Sequence, residues 1–181
     1  MKALIFADIH GSLDAAHFII KEIERQRPDA VVLLGDLLYH GPRNIIPPSY
    51  DPRGVAELLN TYASAMIAVQ GNCDSEVDMK LLNFPIASEF TWLISDGLRI
   101  FITHGHHNSA TNLPPLHEGD IFLFGHTHIP LAESTGDYYL CNPGSITLPK
   151  DDHPQSFGVI ENGTFSVLTK EGETYLYLNY C

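Results

Sequence analysis

The sequence predicts an α/β sandwich, two mixed β-sheets flanked by helices, and three observations lead there. Short apolar runs recur that stop at glycine plus a polar residue: ALIFADIHG, VVLLGD, MIAVQGNCD, RIFITHGHH and IFLFGHTH. Helical spacing separates the early runs. Two-residue turns, Asp96-Gly97 and Asn162-Gly163, punctuate the second half. Runs of four or five apolar residues suit strands covered on both faces, so the sheets need layers around them.

The opening run reads as a core strand rather than an export signal. Its apolar stretch is short, and Asp8 and His10 interrupt it. After Ser12, the residues Leu13, Ala16, Ile20 and Ile23 follow helical spacing until Pro28. VVLLGD supplies the next strand. Residues 39–52 are polar and proline-rich and directly follow Asp36, which predicts a surface loop near the site, either a plain connection or a shaper of substrate. Asp51-Pro52 opens a second helix carrying Val55, Leu58, Leu59 and Tyr62 on one side. Strand, helix, strand, helix, strand implies right-handed parallel units.

From about residue 90 the pattern changes to hairpins. FTWLIS-DG-LRIFIT and FGVIE-NG-TFSVL each read as one, and IFLFGHTHIP followed by DYYLCNPGS is expected to pair similarly. The final YLYLNY is a strand, either ordinarily buried or part of a homo-oligomer interface. No linker or repeat of domain size interrupts the chain, so residues 1–181 are expected to form a single domain.

Composition narrows the partners. A formal charge of −12 with only 10 basic residues argues against extended nucleic acid, which needs clustered Lys and Arg. Bound cations would reverse the local sign, so a small phosphate substrate remains compatible. No apolar run is long enough for a bilayer, and no membrane partner is expected. Cys73, Cys141 and Cys181 are too scattered for a disulfide framework, which makes a reducing cytoplasm the expected compartment.

Ligands in such sheets collect beyond the carboxyl ends of the strands. If the five runs are neighbours, their ends bring together Asp8, His10, Asp36, Asn72, His104, His126 and His128. Oxygen and imidazole donors in that mixture suit Mn, Fe or Zn better than Ca. Seven donors exceed the need of one ion and match two ions sharing a carboxylate. In DIH and HTH the donors are two apart, so on an extended strand both would face one side. A single strand-end Asp is usually a turn residue and a lone His usually structural; the ordered set is hard to attribute to coincidence.

The series D-x-H (Asp8, His10), G-D (Gly35, Asp36), G-N (Gly71, Asn72), a strand-ending His104 and G-H-x-H (Gly125, His126, His128) resembles the calcineurin-like metallophosphoesterase superfamily, over about residues 1 to 150. More narrowly, DIHGS, GPRN, GNCDSEVD, THGH, GHTH and NPGS are similar to the small bacterial phosphodiesterases of the YfcE type. The resemblance implies a metal-dependent phosphodiesterase acting on a small phosphodiester. Asp8, His10 and His128 would hold one ion, Asn72, His104 and His126 the other, and Asp36 would bridge. It implies two divalent transition-metal ions, manganese foremost, with iron, zinc, nickel or cobalt as alternatives. A hydroxide shared by the ions would attack phosphorus, and the Asn72 amide would serve both metal and phosphate.

One departure stands out. Many relatives carry His after the metal-binding Asn, as GNHE, where it can protonate the leaving group. Here Cys73 fills that slot, either as a poor proton donor or as a small space-filler. Good leaving groups should therefore be favoured. His106 is expected to contact substrate or buttress His104, Arg43 to reach a phosphate or serve the surface, and Asn142 to close a turn or orient a ligand. His107 and His153 are expected to be solvated; His17, His40 and His117 carry no signal. The competing readings are a phosphomonoesterase on the same centre and a non-catalytic scaffold of the same fold.

Overall fold

A computed structural model describes residues 1–95 and 97–180 of the chain. Asp96, half of the expected Asp-Gly turn, and Cys181 lie outside the described residues. Three parallel strands, β1 (Ala3–Phe6), β2 (Ala30–Leu33) and β3 (Met66–Ala68), form one side of a six-stranded sheet.

The connections are helical, as the spacing predicts. Helix α1 (Leu13–Gln26) begins at Ser12, whose side chain accepts from the Ala15 amide. It ends at Arg27, where a φ of 47° turns the chain out before Pro28. Its buried stripe is Ala15, Ala16, Ile19 and Ile23, with Ile20 only partly covered. Helix α2 (Pro52–Asn60) starts on the Asp51 carboxylate, which accepts from Gly54, with Pro52 in the first turn. A short helix, α3 (Glu76–Leu81), follows β3 and was not evident from the sequence pattern.

The second half builds sheets. Strand β4 (Phe90–Ser95) pairs antiparallel with β5 (Leu98–Thr103). Next come β6 (Ile121–Leu123), β7 (Pro130–Ser134) and β8 (Tyr139–Pro143). Together they form a five-stranded sheet in the order β4-β5-β6-β8-β7. The expected hairpin of IFLFGHTHIP with DYYLCNPGS is corrected here. β6 lies parallel to β8, with Ile121 opposite Tyr139, and the antiparallel partner of β8 is β7. The GHTH turn ends β6 and redirects the chain, so the next run, not β6, makes the hairpin.

Strands β9 (Ser156–Glu161), β10 (Thr164–Thr169) and β11 (Thr174–Asn179) return to the first sheet, whose order is β11-β10-β9-β1-β2-β3. The Asn162-Gly163 hairpin joins β9 to β10 as predicted. The C-terminal strand is an edge: Leu176 and Leu178 pack inward, while Tyr175 and Tyr177 are exposed.

Strand alternation divides the core. Leu4 and Phe6 face the helices with Ile19, Val55 and Leu59, while Ala3 and Ile5 face the other sheet with Val32, Ile102, Leu123 and Phe165. Helices thus cover the first sheet. Phe101, Phe122 and Phe124 on the outer face of the second sheet lie under Leu113 and Leu116 from the loop 104–120. No helix among the described residues is long and apolar enough to cross a membrane.

Phe165 tests the interior between the sheets. Its ring is wholly buried, and a methyl added at Gly158 would stand 2.8 Å from it. Phe165→Ala is expected to cost about 3–5 kcal/mol, read as a lowered urea midpoint without loss of cooperativity.

Candidate metal centre

The five glycine-ended runs do not sit side by side in one sheet. Three (β1, β2, β3) belong to the first sheet and two (β5, β6) to the second, and the loops beyond both sets meet at one rim. There the backbone ceases to be extended. Asp8, His10, Asp36, His126 and His128 have φ of 58°, 49°, 55°, 65° and 60°, all left-handed. The same-face argument from strand alternation therefore does not apply: each donor is aimed by a turn. Left-handed geometry costs a non-glycine residue roughly 1–2 kcal/mol, so surrounding contacts must hold these turns.

Those contacts are visible. The loop after β1 zips onto the loop after β2, with His10 N–H donating to Asp36 O at 2.8 Å and Gly11 N–H to Leu37 O at 2.9 Å. Ser145 Oγ donates to Asp8 O and Thr147 Oγ1 to Ile9 O from beneath. Asn142 donates to Gly125 O and Thr127 Oγ1 and accepts from Gly144, so it both closes its own turn and braces the GHTH loop. Gly71 lies so close to Asp36 that an added Cβ would stand 2.1 Å from its Oδ1. Only glycine fits.

The side chains gather around Asp36. Its Oδ2 lies 3.7 Å from His10 Nε2, and its Oδ1 lies 3.6 Å from His104 Nε2. On the His10 side, His128 Nε2 is 3.3 Å from His10 Nε2 and 3.3 Å from Asp8 Oδ1. On the other side, His104 Nε2 lies 3.0 Å from Asn72 Oδ1 and 3.2 Å from His126 Nδ1. All seven sequence-predicted donors thus stand in one continuous cluster.

The hydrogen bonds determine which ring nitrogens carry lone pairs. His10, His104 and His128 each place Nδ1 on a backbone carbonyl, of Tyr39, Leu34 and Leu148. A carbonyl only accepts, so each Nδ1 bears the proton and, in the neutral ring, each Nε2 presents a lone pair to the cluster. His10 Nε2 and His128 Nε2 then face each other as two acceptors, beside an Asp8 Oδ1 that is buried with no hydrogen-bond partner. His104 Nε2 likewise meets the oxygen of Asn72. Acceptor against acceptor at these distances is unfavourable unless a cation lies among them.

Burial opposes ionisation of Asp8, yet the imidazoles around it, His128 foremost, hold its carboxyl below the usual range. Burial keeps His10 and His126 below the ordinary histidine value. For His128 burial works against charge, but the Asp8 carboxylate outweighs it and raises the pKa. Asp8, His10 and His128 could hold one ion, and Asp8, Asp36 and His104 form a second group within 4.8 Å of one another. The donor set fits divalent transition ions.

The softer candidates separate. Arg43 and Cys73 line a cleft of about 470 Å³ over the cluster, with Asn44, Asn72, Thr127 and Lys150. Cys73 is half-buried, and burial followed by the charge of Asp36 pushes its thiol up to about 12. His106 does not line that cleft. Its ring meets that of His104 edge to face at 5.2 Å and stands tilted 6.2 Å from His126, the position of a buttress. Burial pushes it down to about 4, so it is neutral at pH 7. His107 is exposed, while His153 bonds the Tyr175 hydroxyl rather than water alone.

Sequence reading missed Asp74, Ser145, Thr147 and Lys150. Asp74 and Ser145 stand inside motifs already singled out, GNCD and NPGS, but their work is to hold backbone amides and carbonyls, which residue spacing does not reveal. Lys150 reaches the cleft because its loop folds back beside His128.

The family model of the calcineurin-like phosphoesterase superfamily domain matches residues 1–164. The chain is 43% identical over 176 residues to Phosphodiesterase YfcE of Escherichia coli (strain K12), covering 97% of this chain and 96% of that protein. A solved structure of YfcE, a phosphoesterase from E. coli, superposes with a TM-score of 0.98 at 41% identity and covers 100% of both chains. Wild-type Vps29 of Entamoeba histolytica, solved in complex with zinc, shares the fold at a TM-score of 0.65 and 20% identity over 100% of both chains. Donor-bearing loops in the expected order, gathered at one rim of two mixed sheets and matched along nearly the whole chain, make this protein a member of the calcineurin-like phosphoesterase superfamily.

Proposed function

We propose that the chain is a metal-dependent phosphodiesterase that hydrolyses a small diester at a dinuclear centre. Asp8, His10 and His128 hold one ion, Asn72, His104 and His126 the other, and Asp36 is shared. The observation that carries this reading is the Asp36 carboxylate, whose two oxygens face opposite ways, one toward His10 and one toward His104. The 43% identity to a protein named phosphodiesterase supports the diester as substrate class. A cleft of about 470 Å³ suits a small molecule rather than a polymer. Manganese is the proposed metal, and the cytoplasm, where the free Cys73 and Cys141 would stay reduced, the proposed compartment.

Bound divalent ions would supply the positive charge that activates water as hydroxide and stabilises the developing phosphoryl charge. The chain does the rest. Arg43 and Lys150 at the cleft draw in the anionic diester and orient it. Asn72 turns its amide oxygen to the cluster, and its NH2, now on Cys73 Sγ at 3.2 Å, is available to a phosphate oxygen. His106 keeps the His104 ring in place by edge-to-face contact. Cys73 follows Asn72 where an imidazole could serve, and a thiol is a weaker acid than an imidazolium. The leaving group therefore departs largely unassisted.

Two outcomes test this reading. Exhaustive chelation should abolish hydrolysis of a bis-aryl phosphate and Mn2+ should restore it, with two ions per chain by titration calorimetry. Full activity without metal would defeat the mechanism. Across diesters of graded leaving groups, the rate should fall steeply with leaving-group basicity, alkyl esters lagging aryl ones by about 10²–10⁴-fold. A flat profile would show that an acid is at work.

A further inference from the structure

Asp74 is buried, 7% exposed, two residues beyond Asn72, and is not one of the seven donors. It has no basic partner among the described residues. Its carboxylate accepts three backbone amides instead: Oδ2 from Gly71 at 2.7 Å and Asp36 at 2.8 Å, and Oδ1 from Leu37 at 2.8 Å. These amides come from two loops far apart in sequence, the one after β2 and the one after β3. The arrangement is reciprocal, because Asp36 Oδ1 accepts the Cys73 amide at 2.8 Å. Two carboxylates thus cross-link the two loops, each capping amides of the other's.

The consequence falls unevenly on the cluster. The left-handed turn at Asp36 takes the Asp36 and Leu37 amides out of the sheet ladder, and Asp74 is what satisfies them. The same clamp holds Gly71 against Asp36, and so sets where Asn72 stands relative to His104, 3.0 Å away. His10 shares the loop after β2, through Asp36 O and Tyr39 O, while Asp8 and His128 are anchored elsewhere, through Ser145 and Leu148.

We propose that Asp74 is a positioning residue for the second ion: it fixes the spacing between Asp36 and Asn72 without touching metal or substrate. The proposal rests on the dinuclear reading above. Asp74→Asn preserves shape but sets an NH2 where one amide needs an acceptor. Asp74→Glu keeps the charge, moves the carboxylate by one methylene, and serves if the asparagine variant does not fold.

The experiment is Mn2+ titration calorimetry on the metal-stripped full chain, with circular dichroism as the check on folding. In a folded variant, the first ion should bind as in the parent, while the second should weaken by about 10–100-fold. Paramagnetic resonance at two Mn2+ per chain should show isolated ions in the variant where the parent shows coupled ones. Unchanged affinity for the second ion, or equal weakening of both, would overturn the proposal. A parent chain that binds one ion only would bring down the dinuclear reading itself, and this proposal with it.

Discussion

Unshared electron pairs converge at the rim of this molecule. Three Nε2 atoms, two carboxylates and an amide oxygen meet there, several in acceptor-to-acceptor contact near 3 Å. Such an arrangement is repulsive by itself, and the fold must impose it. Three backbone carbonyls do so by accepting hydrogen bonds from the Nδ1–H of His10, His104 and His128. Each ring is left with one orientation and one free lone pair, the state in which imidazole binds metal.

The backbone bears part of the cost. Five donors occupy left-handed turns, a conformation that non-glycine residues adopt only when neighbours over-determine it. Those neighbours lie in both sheets and below them. The loop after β1 pairs with the loop after β2, the NPGS turn props Asp8 and the GHTH loop, and Asp74 ties the loop after β2 to the loop after β3. Beneath them is a close-packed interior in which β1 contributes to both layers at once, Leu4 and Phe6 toward the helices and Ala3 and Ile5 toward the second sheet. A rigid floor is what lets strained turns persist above it.

The charge pattern gives the centre its chemical character. The chain carries −12 overall, yet Arg43 and Lys150 stand at the cleft. Burial, and after it the carboxylates led by Asp36, push the Cys73 thiol up to about 12. On the proposed mechanism, a thiol beside Asn72 is a poorer acid for the departing alcohol than an imidazole would be.

How far the sequence speaks can be judged residue by residue. The period of Ala16 and Ile23, the Ser12 and Asp51 caps, and the Asn162-Gly163 turn are local signals, and each element they announce is present. The seven candidate donors were legible because they gather at the ends of apolar runs, five of them directly beside glycine. The pairing of β6 with β8 was not, since parallel and antiparallel partners leave the same alternation in the chain. Nor could strand alternation explain DIH and HTH, whose residues are placed by turns rather than by a strand. The candidate donors and their order along the chain can be read from the sequence. Only the tertiary structure decided which nitrogen each imidazole presents, which oxygen of Asp36 faces which cluster, and that Asp74 holds the loops together. Those are matters of hydrogen bonds between residues distant in the chain, and no local pattern encodes them.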